Sequence, residues 1–176
     1  PGLRVALVTT HMALSDVPQR VTVDKIVVTG KILQDALRRY FCAEEPRVAI
    51  CGLNPHCGDG GRFGDEEARL IAPALEQLAE RRMPLDGPHP ADTVFARAVK
   101  GGYDAVIAMY HDQGLIPVKM AGLDRVVNVT LGLPFIRTSV GHGTAFDIAG
   151  TGQASEGSFQ EAVRVAASMV RGAQRG

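Results

Sequence analysis

The sequence has no net charge. Its 19 basic and 19 acidic residues cancel over 176 positions. No face-wide field is available to draw in a polyanion, which excludes nucleic acid as an expected partner. Local pairs such as Arg38-Arg39 and Arg81-Arg82 fall on predicted helices and read as solvated helix surface. Long apolar runs are missing too. None approaches the roughly 20 residues of a membrane-spanning helix, and no signal-peptide pattern stands at the N-terminus. A cytoplasmic location away from membranes is therefore expected. Cysteine is scarce: Cys42, Cys51 and Cys57 are odd in number and form no secreted disulfide framework, which fits a reducing compartment. No repeat or low-complexity tract interrupts the chain. No GxGxxG follows a predicted strand, and no Lys-Ser/Thr follows the glycines of CGLNPHCGDGGRFG (Cys51–Gly64). These two absences speak against a standard Rossmann dinucleotide site and against a P-loop hydrolase, which ranks last among the functional readings.

What is present is an ordinary globular composition, 45% apolar and 22% charged. Short β-branched runs predict strands at Leu3–Thr9, Arg47–Cys51, Tyr103–Met109 and Val126–Thr130. Helical spacing predicts helices over Thr22–Phe41, Asp65–Arg82, Ala91–Lys100 and about Ser158–Arg171, with Asp65, Glu66 and Glu67 favouring the start of the second. Pro84–Pro90 reads as a turn-rich break with His89 as a turn residue, and Cys42 reads as core. Strands alternating with helices point to an α/β fold with a mostly parallel sheet flanked by helices. Ligands in such folds sit beyond the carboxyl ends of the strands. The chain opens on Pro1 and almost directly on an apolar strand, so further sequence is expected to precede it.

Three of the five histidines share one context. His11, His56 and His111 each follow a predicted strand, so a parallel sheet would present them at one edge. Neutral imidazoles ligate zinc and similar ions, and three can leave a coordination position open for substrate. The competing reading is that each is a hydrogen-bonded loop residue. Cys57 could join as a ligand, although a packing role is the simpler reading. Asp112, beside His111, is a candidate partner for that imidazole or a general base, or merely a turn former. Lys119 and Arg137 read on their own as surface cations. Asn128 within VVNVT is a polar residue in a strand and asks for a partner.

These residues lie inside segments that carry a resemblance. TTHMALSDVP (Thr9–Pro18), GLNPHCGDGG (Gly52–Gly61), GPHPADTVF (Gly87–Phe95), AMYHDQGLIPVK (Ala108–Lys119), VNVTLGLPFIRTS (Val127–Ser139) and HGTAFDIAGTG (His142–Gly152) spread over nearly the whole chain. The sequence resembles the 4-hydroxythreonine-4-phosphate dehydrogenase family of vitamin B6 biosynthesis. The resemblance implies an isocitrate/isopropylmalate dehydrogenase-like fold of two domains. Residues 1–140 would supply metal- and substrate-binding loops, and 141–176 a dinucleotide-binding loop and C-terminal helix. Family members are about twice this length, within the two-domain range, and the matching region is their C-terminal part.

The resemblance further implies oxidation and decarboxylation of 4-phosphohydroxy-L-threonine, with NAD or NADP and a divalent cation (zinc, magnesium or cobalt). The cation would be held by His11, His56 and His111, shared across a homodimer. Substrate contacts carry over to Lys119, Asn128 and Arg137. Asp112 and Lys119 are the candidate catalytic groups. His142, Gly143, Thr144 and Asp147 are the candidate cofactor-binding residues. Two positions depart from the family pattern: Gly141 replaces a usual Asp, and His89 a usual aliphatic residue. Relatives that oxidise phosphorylated four-carbon sugar acids or aromatic dihydrodiols share the general pattern. A related sugar-acid dehydrogenase and a non-catalytic dimerising fragment are therefore the alternatives.

Overall fold

A computed structural model describes residues 2–144 and 146–175. Four strands, β1 (Val5–Leu7), β2 (Val48–Cys51), β3 (Asp86–His89) and β4 (Ala105–Ala108), form one sheet in the order β1-β4-β2-β3. Every pairing in it is parallel. The two central strands, VAIC and AVIA, are buried at every position. Their near-continuous apolar character is what a parallel strand covered on both faces requires.

The two faces follow from the period of two along a strand. Val48, Ile50, Ala105 and Ile107 enter one apolar cluster, with Ile26, Leu33 and Leu37 of α2 (Val23–Phe41) and Ala74 of α3 (Ala72–Glu80). Ala49, Cys51, Val106 and Ala108 enter the other, with Val94, Phe95 and Ala98 of α4 (Ala91–Val99). Helix α2 starts where Thr22 accepts from the Lys25 amide at 3.3 Å, an N-cap, and its basic Arg38 and Arg39 sit in the last turn. Gly30 is tolerated in its middle for a packing reason: a Cβ there would stand 2.8 Å from Leu78 Cδ1 on α3. A short helix, α1 (Val17–Arg20), precedes α2.

Two further strands and the C-terminal helix form a second layer. Strands β5 (Val127–Thr130) and β6 (Arg137–Val140) make a separate antiparallel hairpin. Helix α6 (Gly157–Ala173) packs on both the hairpin and α2. Buried Ser158 joins hairpin to helix, donating to Val126 O at 2.6 Å while accepting from Gly141 N at 3.1 Å. At the other end Gly172 meets Tyr40, whose carbonyl oxygen would lie 2.2 Å from a Cβ built on that glycine.

Several sequence expectations are corrected. PLDGPHP is not a simple break: residues 86–89 within it pair with β2 as the edge strand β3. Val126–Thr130 yields a strand, but it joins the hairpin and not the parallel sheet. Asp65–Arg82 opens with a wide π turn over Glu67–Ile71 before becoming α3. The segment after β4 folds as α5 (His111–Met120), which its mixed composition and internal Pro117 do not announce. Cys42 is exposed, not core, and caps α2 in the left-handed region at φ 54°. Among the described residues no helix is long and apolar enough to cross a membrane.

Candidate metal and substrate site

The carboxyl ends of β1, β4 and β2 are neighbours, and each leads into one of the three histidine-bearing loops. His111 is the first residue of α5, directly beyond β4. Gly114 lets that helix lie close to the sheet: a Cβ there would stand 2.6 Å from Leu7 Cδ2 and 2.9 Å from Val5 Cγ1. His11 follows β1 and meets His111, their ring centroids 5.1 Å apart at 44°. Both line an open cleft of about 550 Å³ with Thr10, Met12, Tyr110 and Asp112.

His111 Nδ1 lies 2.6 Å from Asp112 Oδ1. A carboxylate can only accept, so Nδ1 carries the proton and Nε2 is left as the basic nitrogen. This is the arrangement by which a carboxylate orients a ligating imidazole. The sequence raised Asp112 as partner or base, and in the structure its carboxylate contacts the His111 ring.

His56 is placed differently. Its loop runs through the left-handed region for five successive residues, His56 to Gly60, with φ between 46° and 82°. Three of the five, His56, Cys57 and Asp59, are not glycine. Such a run is costly and persists only where surroundings hold it. Glu67, a buried carboxylate at the start of the following helix, supplies that support. Its Oε1 accepts from the Leu53 and Asn54 amides at 2.8 and 2.7 Å, and its Oε2 from Asn54 Nδ2 at 3.0 Å. Glu66 accepts from the same Asn54 Nδ2 at 2.7 Å. The glycines fit this clamp: a Cβ on Gly58 would be 2.9 Å from Glu67 Oε2, and one on Gly64 2.5 Å from Asn54 Nδ2. The His56 ring lies 6.4 Å from that of Phe63 and does not line the cleft of His11 and His111. Among the described residues no group of three or more His, Cys, Asp or Glu side chains is gathered to hold an ion within one chain. The fold thus brings His11 and His111 together and leaves His56 on the same sheet edge but apart.

Cys57 packs against Gly52. Burial, then the neighbouring Glu67, raises its thiol pKa, and burial pushes that of Cys51 up to about 12. Both thiols are therefore neutral at neutral pH, as packing residues are.

Lys119 lies exposed in the last turn of α5. Asn128 and Arg137 share one face of the hairpin, because Asn128 pairs with Ser139 and Thr130 with Arg137. Arg137 Nη1 donates to Thr130 Oγ1 at 2.7 Å. Asn128 is exposed, so the partner that a buried strand position would demand is not needed within this chain. His142, Gly143 and Thr144 are exposed, with His142 Nδ1 2.9 Å from Gly143 O, and Asp147 is exposed in a short 3-10 helix, Phe146–Ile148.

The two departures have structural explanations. His89 Nε2 is 3.1 Å from both Tyr103 Oη and Asp86 Oδ2, and it lies outside the cleft. Gly141 sits against Val126, where a Cβ would meet Cγ1 at 2.5 Å and the carbonyl oxygen at 2.8 Å.

Comparison with known proteins places the chain in a family. Residues 1–166 match the family model described as pyridoxal phosphate biosynthetic protein PdxA. The chain is 57% identical over 169 residues to a 4-hydroxythreonine-4-phosphate dehydrogenase of Geobacter metallireducens, covering 96% of this chain and 50% of that one. The crystal structure of a 4-hydroxythreonine-4-phosphate dehydrogenase from Klebsiella pneumoniae superposes with a TM-score of 0.86 at 44% identity, over 95% of this chain and 50% of that one. A terephthalate 1,2-cis-dihydrodiol dehydrogenase from Burkholderia xenovorans gives a TM-score of 0.76 at 32% identity, over 95% of this chain and 53% of that one. The chain spans about half the length of the curated relatives it matches. With its parallel sheet, its post-strand histidines and a family match over 166 residues, the chain belongs to the PdxA family of pyridoxal phosphate biosynthetic proteins.

Proposed function

We propose that this chain supplies the metal- and substrate-binding part of an NAD(P)-dependent dehydrogenase acting in the cytoplasm. The enzyme would oxidise and decarboxylate 4-phosphohydroxy-L-threonine on the way to pyridoxal phosphate. The observation that carries this reading is the pairing of His11 with His111 at the carboxyl edge of the sheet, in a chain of this family. Two imidazoles at one cleft, one fixed by a carboxylate, are a donor set that suits zinc, cobalt or a similar divalent ion. His11, His56 and His111 would hold it. The distance of His56 from the pair favours a site completed across a homodimer. When bound, the ion would act as a Lewis acid that stabilises negative charge on the substrate oxygen.

The chain's own residues do the rest. Asp112 holds the His111 imidazole in one tautomer and orientation. Arg137 offers a planar fork for phosphate or carboxylate, and Lys119 a point charge. Asn128, on the Arg137 face of the hairpin, orients substrate by hydrogen bonding. His142, Gly143, Thr144 and Asp147 would bind the dinucleotide, and the backbone at Gly143 is open: a Cβ there would meet nothing within 4 Å.

An aromatic dihydrodiol substrate is the second reading, favoured by the similarity to the Burkholderia xenovorans protein. The position of His89 outside the cleft weighs toward the first, because that departure does not reshape the lining.

The test is a substrate panel on the full-length protein. It compares 4-phosphohydroxy-L-threonine with four-carbon phosphosugar acids and a dihydrodiol, with and without chelator. Chelator-sensitive turnover of the first alone is expected. Preference for another substrate overturns the assignment. Calorimetric metal titrations unchanged by His56→Ala and His111→Ala overturn the ligand set.

A further inference from the structure

We propose that Gln113 is a positioning residue: it sets the spacing between the loop that carries His111 and the loop that carries His56. The inference rests on the reading of these histidines as metal ligands.

Strands β2 and β4 are paired through Val48–Ala105, Ala49–Val106 and Ile50–Ile107. Beyond that last pair the chains part, one toward each histidine. The Gln113 side chain bridges them there. Its Oε1 accepts from the Met109 amide at 2.7 Å, and its Nε2 donates to the Gly52 carbonyl at 2.8 Å. The primary amide thus stands in for one more rung of the ladder. Met109 lies two residues before His111, and Gly52 four before His56. The span is continued on both sides. Met109 O accepts from the Thr9 amide at 3.1 Å and from Thr9 Oγ1 at 2.7 Å, two residues before His11. Glu67 holds Leu53 and Asn54, next to Gly52. One hydrogen-bonded chain, Thr9–Met109–Gln113–Gly52, then Leu53/Asn54–Glu67, therefore underlies all three histidine loops.

Only glutamine satisfies the position. Glutamate cannot donate to Gly52 O, methionine offers neither group, and asparagine is one methylene short. Gly114 beside it leaves no space between α5 and the sheet, so the bridge has little slack. The amide touches no imidazole. Its effect on the metal would pass through the backbone.

A merely structural role would lower stability and leave metal binding by the folded protein unchanged. Gln34 serves as the control: it is more deeply buried than Gln113 and likewise hydrogen-bonded, donating to Met83 O at 2.7 Å, on helix α2 away from the histidines. Gln113→Met, Gln113→Glu and Gln34→Met, each in the full-length protein, are titrated with Co²⁺ below their melting temperatures, following affinity and the visible Co²⁺ spectrum. Both Gln113 variants are expected to bind Co²⁺ about tenfold more weakly with altered bands, as loss of support behind ligands does. Gln34→Met is expected to show a lower Tm with parental affinity and spectrum. Parental affinity and spectrum in both Gln113 variants overturn the inference alone. Absence of Co²⁺ binding by the full-length parent protein overturns the metal reading and this inference with it.

Discussion

His11 and His111 face one another across the cleft with ring centroids 5.1 Å apart, although they come from loops far apart in sequence. Only His111 has a carboxylate on its Nδ1. The two rings are therefore held unequally, His111 by Asp112 and His11 by its loop.

Asp112→Ala removes that support. Divalent-metal affinity is expected to fall by about tenfold. The Asp112 side chain is 73% exposed, so stability should change by no more than about 0.5 kcal/mol. Calorimetric titration alongside a thermal melt checks both. Undiminished affinity would remove Asp112 from the site.

Glu67→Ala attacks the clamp under the His56 loop. The substitution leaves the half-buried Leu53 and Asn54 amides without their acceptor and strips the Asn54 side chain of one of its two. A loss of about 3 kcal/mol in urea denaturation is expected, in the range for hydrogen bonds to a charged group. Proteolytic nicking between residues 55 and 64 should rise at the same time. A stable, uncleaved variant would show that the left-handed turn supports itself.

Gly141→Asp restores the residue usual among biosynthetic relatives. The new Cβ meets Val126, including its backbone oxygen. A destabilisation of about 1–3 kcal/mol is expected, the cost of overpacking. A variant of unchanged stability that gains turnover on phosphohydroxythreonine would make the position a substrate determinant instead.

Acid should weaken the fold through two carboxylates. The hydrogen bond from Arg47 holds Asp104 below the usual carboxylate range, and Tyr103, then His89, does the same for Asp86. A depressed folded pKa contributes stability that is present above the unfolded value and lost as pH falls through the folded one. The decline should therefore begin near pH 4 and continue below it. Thermal melts of Asp104→Asn and Asp86→Asn between pH 2.5 and about 6 should show a shallower decline than the parent. The same slope in all three would place the acid sensitivity elsewhere. Tyr103 runs the other way: burial, then the Asp86 hydrogen bond, raises its pKa, so its contribution is lost only at strongly alkaline pH.

Much of the fold is legible along the chain because it is local. VAIC and AVIA announce buried parallel strands, and Thr22 announces the start of α2. Strand β3 is hidden because its four residues, DGPH, carry turn chemistry and pair only at the sheet edge. Helix α5 is hidden because His, Asp, Gln, Gly and Pro are kept for contacts and not for helical propensity. Glu67 reads from the sequence as one of three acids at a helix start, yet it is the one turned inward to hold the preceding loop.

The order of residues alone carries three histidines after strands and, through its motifs, the family that the chain joins. It could not determine which histidines meet. Chain order would set β1 beside β2 and His11 toward His56. The crossover places β4 between them, so His111 becomes the neighbour of His11 and Gln113 reaches across to β2. Local periodicity records burial and nothing about strand order. That order is settled only when the sheet buries both faces at once, one against α2 and α3 and the other against α4.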